Sequence, residues 1–547
     1  MEQLRLLLAI ALSFAIFVAW GVYIGKKEAQ DIARIQPKEG GKKSFEKQRV
    51  VPQLPLKEEM EQPQEKEVPT VSDVEIVRSA ETKDIFIETD LYKIVITNEG
   101  ASFKNLKLKK YLNKKKELLE IVDQIQDSIR PPYLSTFDTR TMDVVNLSVY
   151  QTNAESITLS EFSPEKTVSF MLETPSGIKV KKDFTFYYDR YQIDFDAYIT
   201  DRSGNLADKK YYFNWGPGFG NEDEKELYVF TGPISYLNNQ VIKHDPDDFD
   251  REFIFSGNLS WVCLQNKYFT SALIPKNGIN GGRIGKNPND KLSVGLQLIN
   301  NSNNSMSGNV TLFAGPKEEN ILKSYNVHLE EAVDYGWFGN KFIWLVKPLM
   351  KVLRFIYSYT HNYGVAIILI TVLIKIIFFP LSQKSFRSMN EMKKVQPYIK
   401  IIQERYKDDK AMLNQEMMKV YKEHKVNPLG GCMPMLLQVP VFIALYNALL
   451  VSIELRGAPF MLWIQDLSEK DPYYVTPILM GASMFVQQKM TPTMGDPLQA
   501  KMMQFLPLIF TFMFLNFPVG LVIYWLVNNV LTIAQQYYMN HYAAVKK

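Results

Sequence analysis

Residues 4–24 form an almost unbroken apolar run, and about 20 residues at about 1.5 Å each cross a hydrocarbon core of about 30 Å. The run ends in Trp20-Gly21-Val22-Tyr23, with two interfacial aromatics and no small-x-small cleavage site. A signal peptide is the rival reading, but these features favour a retained transmembrane anchor over residues 1–24. Residues 25–83 are rich in Lys, Glu, Gln and Pro and bury too little apolar surface to fold, which predicts a flexible tether. From residue 84 to 332 the pattern is that of strands. Ile85, Ile87, Leu91, Ile94 and Ile96 punctuate short runs, FTFYYDRYQIDFDAYI is aromatic and β-branched, and turn signals recur at Asn98-Glu99-Gly100 and Ser203-Gly204-Asn205. No βαβ alternation appears, so a large antiparallel β-sandwich is expected.

After residue 332 the apolar pattern returns. Within 333–362, Lys341, Lys347, Lys351 and Arg354 are spaced for one side of a helix, which fits a helix lying in a membrane interface. Apolar runs at 364–381, 433–452, 475–488, 502–517 and 519–535 read as spans. Adding the N-terminal run, the expectation is a polytopic α-helical membrane protein with six transmembrane helices and a large external β-sandwich domain. Residues 363–537 form its helical core and 538–547 a short basic tail.

Charge sets the orientation. Lys and Arg crowd the segment from Lys384 to Lys425, whereas the loop 454–474 carries only Arg456 and Lys470. By the positive-inside rule the first loop is cytoplasmic and the second external, so both termini lie inside and the β domain outside. Lys26 and Lys27, just outside the first helix, run against the rule, but a long translocated domain largely escapes it. The total of 63 Lys+Arg against 59 Asp+Glu excludes a globally basic nucleic-acid binder, and two cysteines exclude a disulfide scaffold. The five histidines are scattered without an HExxH, and GGRIGKN at 281–287 has the wrong spacing for a phosphate loop. No metal site, cofactor or covalent chemistry is expected, and the chain does not read as an enzyme.

The cytoplasmic loop 383–425 reads as an antiparallel helical hairpin, with helices over 382–406 and 411–425 and Asp408 or Asp409 capping the second. Met389, Met392, Val395, Ile399 and Ile402 form one apolar stripe, and Met412, Leu413, Met417 and Val420 the other. Two readings stand side by side: ordinary packing in a solvated connector, and a Met-rich docking surface of Met389, Met392, Met412 and Met417 flanked by Lys393 and Lys394.

Lys375, in GVAIILITVLIKIIFFPLS, carries the sharpest functional signal. If its helix runs to Gln383, the ammonium is about 12 Å from the inner end, where a buried charge costs about 2.5–3.5 kcal/mol on insertion scales. Thr371 is four residues earlier on the same face. Gln438, Asn447, Gln487, Gln504, Thr511, Asn516, Asn528 and Asn529 supply further polar groups on later helices. Turned inward, they would enclose a wet, positive recess in the inner leaflet; the alternative is a snorkelling lysine.

Ordered motifs over 333–536 resemble the YidC family of membrane-protein insertases: VDYGWF at 333–338, KVNPLGGCMPMLLQVPVFIALYNAL at 425–449, ELRGAPFMLWIQDLSEKDPYYVTPILMG at 454–481, KMTPT at 489–493 and FPVGLVIYWLVNN at 517–529. The anchor and external domain are similar to the six-span Gram-negative form, which implies a bacterial inner-membrane protein whose periplasmic domain resembles a galactose-mutarotase-like supersandwich. By this resemblance Lys375 falls where many members carry Arg, Thr371 and Tyr524 match groove-lining positions, and Trp525 stands where a second Tyr is common. Lysine keeps the charge but loses the planar five-donor fork. The resemblance implies that a nascent protein docks at the hairpin, that its polar tail enters a groove lined by Lys375, Thr371, Gln438, Thr511, Tyr524, Trp525 and Asn528, and that its apolar helix slides into lipid. Nascent membrane proteins, ribosomes and the Sec translocon are the implied partners; Lys546 and Lys547 at the C-terminus add little charge for a ribosome. A secondary transporter or channel using Lys375 as its intramembrane charge is the alternative, though internal repeats and a second coupling residue are missing. A membrane-anchored carbohydrate-binding or sugar-modifying protein would explain the β domain and leave five spans unexplained.

Overall fold

The computed structural model describes residues 76–78, 81–123, 129–136, 139–202, 210–220, 229–277, 279, 281–302, 304–407, 409–424, 426, 433–490 and 497–541. The expected anchor 1–24, most of the tether 25–83, Asp408, Lys425, Cys432 and residues 542–547 lie outside the described residues. The chain divides into two compact units. The first takes Met1–Lys225, Thr231–Gly315 and Asn326–Leu329; the second takes Glu226–Phe230, Pro316–Tyr325 and Glu330–Lys547.

The first unit consists of two five-stranded sheets and one nine-stranded sheet. The strand Asp84–Glu88 pairs antiparallel with Tyr92–Thr97 on one side, and its Ile87 and Glu88 pair in parallel with Ile157 and Thr158 on the other. In the strand Ile178–Tyr187, Ile178, Val180, Lys182, Phe184 and Phe186 are buried at every second position, as a half-solvated sheet demands. Register places Phe184 opposite Phe195 on the neighbouring strand Gln192–Asp201. The three sheets meet in an aromatic core. Phe103 of one sheet lies 5.4 Å from Phe184 and 5.8 Å from Trp215, and Phe195 stacks on Phe213 at 4.2 Å between ring centroids. These contacts among three sheets make a layered sandwich larger than a single pair of sheets.

The second unit is helical. A short helix Gly336–Lys341 precedes α1 (Ile343–Thr360), α2 (Tyr363–Arg405), α3 (Lys410–Glu423), α4 (Met433–Val451), α5 (Val475–Met490), α6 (Pro497–Phe514) and α7 (Val519–His541). Among the described residues, α2 and the stretch Val519–Met539 of α7 are long and apolar enough to cross a membrane, and Gln438–Val451 and Gln504–Phe514 are shorter apolar helices. The expected second span and the first hairpin arm are one 43-residue helix, α2, with Pro380 and Pro397 inside it. A proline removes one backbone hydrogen bond and kinks a helix, but strong helix formers on both sides carry this one through. Asn362 caps its start by accepting from the Val365 amide at 3.0 Å, and Asp409 caps α3 by accepting from the Ala411 and Met412 amides.

The core of this unit gathers Ile367 and Ile370 of α2, Ala444, Leu445 and Ala448 of α4, and Val522 of α7. Helix α1 packs Val346, Met350 and Leu353 into it and turns Trp344, Lys351, Phe355 and Tyr359 outward, while Lys341, at the end of the preceding short helix, is also exposed. Arg354, expected on the basic stripe, points the other way. Its Nε donates to Glu454 at 2.9 Å and its guanidinium to Glu319 at 3.0 Å, and Lys323 also pairs with Glu319. These ion pairs tie the segment Pro316–Tyr325 to the helices of the second unit.

Candidate functional site

Lys375 stands on α2, and its side chain reaches α7, where the ammonium donates to Thr532 Oγ1 at 2.8 Å. The Thr532 hydroxyl donates in turn to the carbonyl of Asn528 one turn earlier, at 2.6 Å. Gln438 of α4 donates through its amide nitrogen to Asn528 Oδ1. A chain of polar contacts therefore joins α2, α7 and α4. Such contacts between apolar helices fix rotation and depth, because the groups have no alternative partners in hydrocarbon.

These residues line a cavity of about 450 Å³. Phe442, Phe510 and Trp525 form one apolar wall, with Trp525 edge-on to Phe442 at 4.6 Å and stacked near Phe510 at 5.8 Å. Ser382, Phe386 and Met389 carry the lining down α2 to the hairpin, and Gln535 and Gln536 do the same on α7. Among the described residues of the lining, Lys375 is the one cation and no carboxylate joins it, so they make the field inside positive. An ammonium has three donors, of which one is taken by Thr532. Trp525 Nε1, Gln535 Nε2 and Gln536 Oε1 are buried without a hydrogen-bond partner among the described residues, so the walls offer both donors and acceptors to a polar guest. Among the described residues no group of three or more His, Cys, Asp or Glu could hold a metal ion.

Of the expected groove residues, Lys375, Gln438, Tyr524, Trp525 and Asn528 share this lining, whereas Thr371 and Thr511 are not on it. Thr371 lies one turn nearer the start of α2, 1% exposed, and donates to the Ile367 carbonyl at 2.6 Å within its own helix. Thr511 likewise donates to the Pro507 carbonyl and presses on Gly481, where α5 and α6 approach too closely for any Cβ. A hydroxyl that satisfies its own helix needs no wet neighbour. Sequence reasoning missed Thr532, Ser382, Gln535 and Gln536. The signal existed on α7, where Asn528, Thr532, Gln535 and Gln536 recur at one-turn intervals on one face.

The hairpin resolves its two stripes into a core. Met392, Val395, Ile399 and Val426 pack with Met417, Val420 and Tyr421. Met389 packs with Phe386 and with Met539 of α7. Three of the four methionines expected to dock a partner are therefore turned inward, because helical spacing that builds a stripe also builds a packed seam. Met412 and Lys394 remain outward, Lys393 is half-buried, and Met418, unremarked in the sequence, is 51% exposed.

The family model described as 60Kd inner membrane protein matches residues 355–547, and the one described as YidC periplasmic domain matches residues 84–352. A protein of Syntrophus aciditrophicus (strain SB) described as membrane protein insertase YidC is 43% identical over 469 residues, 84% of this chain and 85% of its own. One of Geotalea uraniireducens (strain Rf4) with the same description is 38% identical over 547 residues, 98% of each chain. A solved structure titled as an active YidC insertase with its first transmembrane domain resolved is 19% identical over 86% of this chain and 95% of its own, with a TM-score of 0.36.

Proposed function

The chain belongs to the YidC family of membrane protein insertases, and from that premise we propose that it works through the recess around Lys375. The observation that carries this reading is the ammonium held by Thr532 inside a cavity whose described lining has no carboxylate and continues to the hairpin. A nascent membrane protein reaches the hairpin, where Lys394, Met412 and Met418 are exposed. Its short polar tail enters the recess; Lys375 attracts an acidic tail, and the unpartnered atoms of Trp525, Gln535 and Gln536 replace part of its hydration. The apolar helix behind the tail leaves along α4 and α6, where Val439, Phe505, Leu508, Ile509 and Phe512 are exposed. Transfer of that helix into lipid yields about 25 cal/mol for each Å² removed from water, which drives the step without nucleotide or cofactor.

In this reading α2, α4, α5, α6 and α7 all span the inner membrane, and the N-terminal run makes six. Both termini and the hairpin are cytoplasmic, and α1 lies in the outer interface with Trp344, Phe355 and Tyr359 among the headgroups. Ribosomes carrying the client and the Sec translocon are the further partners this reading implies. The test is insertion of a small client by purified protein in liposomes without a solute gradient. Lys375→Arg retains insertion, and Lys375→Glu impairs acidic-tailed clients. Equal insertion of acidic-tailed clients by Lys375→Glu and the parent removes the electrostatic role.

A further inference from the structure

We propose that the loop between α4 and α5 is a lipid anchor, which buries Met461 and Leu462 in the leaflet at the end of the helices remote from the hairpin. The proposal rests on the membrane-spanning arrangement given above.

The loop is held rigidly across the first turns of three helices. Asn362, the cap of α2, donates through its side-chain amide to the Phe460 carbonyl at 2.9 Å, and the Phe460 ring fills the space over Gly364 that a Cβ would take. The Val519 amide at the start of α7 donates to the Glu469 carbonyl at 2.8 Å, and that of Gly520 to Leu467 at 3.0 Å. Asp471 binds the first turn of α5 by accepting from the Thr476 amide and hydroxyl, both at 2.8 Å, and it also accepts from Trp463 Nε1 at 3.0 Å. Since α2 runs from this end to the hairpin at the other, the loop marks the opposite membrane face.

Out of this fixed base a tight turn projects. The Phe460 amide donates to the Ile464 carbonyl at 3.0 Å and the Ile464 amide to Met461 at 3.1 Å. Leu462, at its tip, has φ of +54°, in the left-handed region that branched side chains avoid. Leu462 is also 76% exposed and Met461 51%. A turn that faces water takes Gly or Asn at such a position. Here the chain accepts backbone strain in order to hold two aliphatic side chains in the open, the combination that marks a functional tip.

The neighbours identify what covers it. Tyr473 and Tyr474, both exposed, lead into α5, whose Ile478 and Leu479 are exposed in the next turn. Trp463 stands edge-on to Tyr473 at 6.2 Å. Aromatic residues followed by apolar helix faces are the profile of a headgroup region passing into acyl chains. Leu369, exposed on α2, is five residues beyond the Gly364 that carries Phe460, about 7.5 Å deeper at about 1.5 Å per residue. The tip is therefore continuous with surfaces that lipid already covers.

The test uses the full chain with Cys263→Ala and Cys432→Ala, in liposomes, carrying a single Leu462→Cys or Met461→Cys labelled with an environment-sensitive fluorophore. Leu369→Cys is the reference in the span and Glu161→Cys the reference in water. The expected result is strong quenching at 461 and 462 by a lipid bearing its quencher near the glycerol, and several-fold weaker quenching by aqueous iodide than at 161. Iodide quenching equal to that at 161 overturns the anchor. Shielding from both quenchers at 461 and 462 overturns it too, by showing that protein covers the tip. Failure of lipid to quench the label at 369 overturns the spanning arrangement itself, which separates that failure from failure of the anchor.

Discussion

Removing Arg354 converts a compensated cluster into two facing carboxylates, and the cost can be worked from its surroundings. Its guanidinium makes two charge-assisted contacts, to Glu319 at 3.0 Å and Glu454 at 2.9 Å. Glu319 is 4% exposed by side chain, Glu454 12% and Arg354 20%. Breaking a buried pair costs about 3–5 kcal/mol; partial exposure of Arg354 and the surviving Lys323 contact reduce this to about 2–3 kcal/mol for Arg354→Met. That is enough to loosen α1 without unfolding the unit. Burial alone raises the Glu319 carboxyl, but hydrogen bonds from Lys323 and Arg354 outweigh it and hold the group below its usual 4.5. A carboxyl depressed in the folded state contributes stability above its free value and loses it as pH falls through the folded one. The clamp is thus fully present at neutral pH and fails on acidification below about 4.5. Thermal unfolding of the purified chain in detergent reads the loss in stability, and a cycle with Glu454→Gln isolates the pair. A pair of deletions reads its importance for insertion. Removing residues 84–315 keeps Glu319 and retains insertion of small clients, whereas removing residues 84–332 loses Glu319 and weakens it. Equal behaviour of the two deletions, or an Arg354→Met chain as stable as the parent, refutes the reasoning.

Lys182 is 1% exposed in the first unit, with its ammonium donating to the Gly100 carbonyl at 2.6 Å and lying 5.1 Å from the Tyr150 ring centroid. Burial pulls it from 10.5 down to about 7, so folding releases a proton between these values and stability of that unit rises with pH across this window; in Lys182→Met that rise disappears in thermal unfolding scans. Burial pushes Glu120 up from 4.5 to about 7 against hydrogen bonds from the Leu106 and Val122 amides, so its contribution falls with pH over that range and Glu120→Gln flattens the fall. Thr532→Val removes the acceptor for Lys375 at nearly constant volume; a hydrogen bond to a charged group is worth about 1.5–3 kcal/mol, so insertion of acidic-tailed clients falls by about tenfold or more, Thr532→Ser restores it, and neutral-tailed clients change little.

Strands of the first unit were legible because a sheet with one buried face forces a period of two, as along Ile178–Tyr187. Which strands become neighbours was not legible, since the parallel pairing of Ile87 with Ile157 joins residues far apart in the chain. In the second unit the apolar runs and the cap at Asp409 could be read locally. The continuity of α2 could not, because Pro380 and Pro397 carry the same local signal whether a helix ends or bends. The recess shows the same division. Lys375 stands out as a charge in an apolar run, and periodicity assigns Thr371 to its face, yet depth along the helix puts Thr371 in the packed core with Ile367 and Ile370. Arg354 followed the basic spacing of its helix, but two carboxylates from distant segments, Glu319 and Glu454, decide its direction. Helical spacing gives a face; it does not name what that face meets.

Aqueous access to the recess is the central claim, and site-directed thiol labelling reads it directly. Single cysteines at Gln438, Tyr524, Asn528 and Thr532, which line the cavity, are placed in a chain lacking Cys263 and Cys432 and treated with a small charged reagent from either side of the membrane. Cysteines at Thr371 and at Ile376, which is 64% exposed on the outer surface of α2, serve as packed and lipid-facing controls. The account predicts rapid labelling of the four cavity positions from the hairpin side alone, with both controls slow. Protection of all four from both sides contradicts it, leaving a dry bundle with a snorkelling lysine, and labelling from both sides contradicts it by opening a channel.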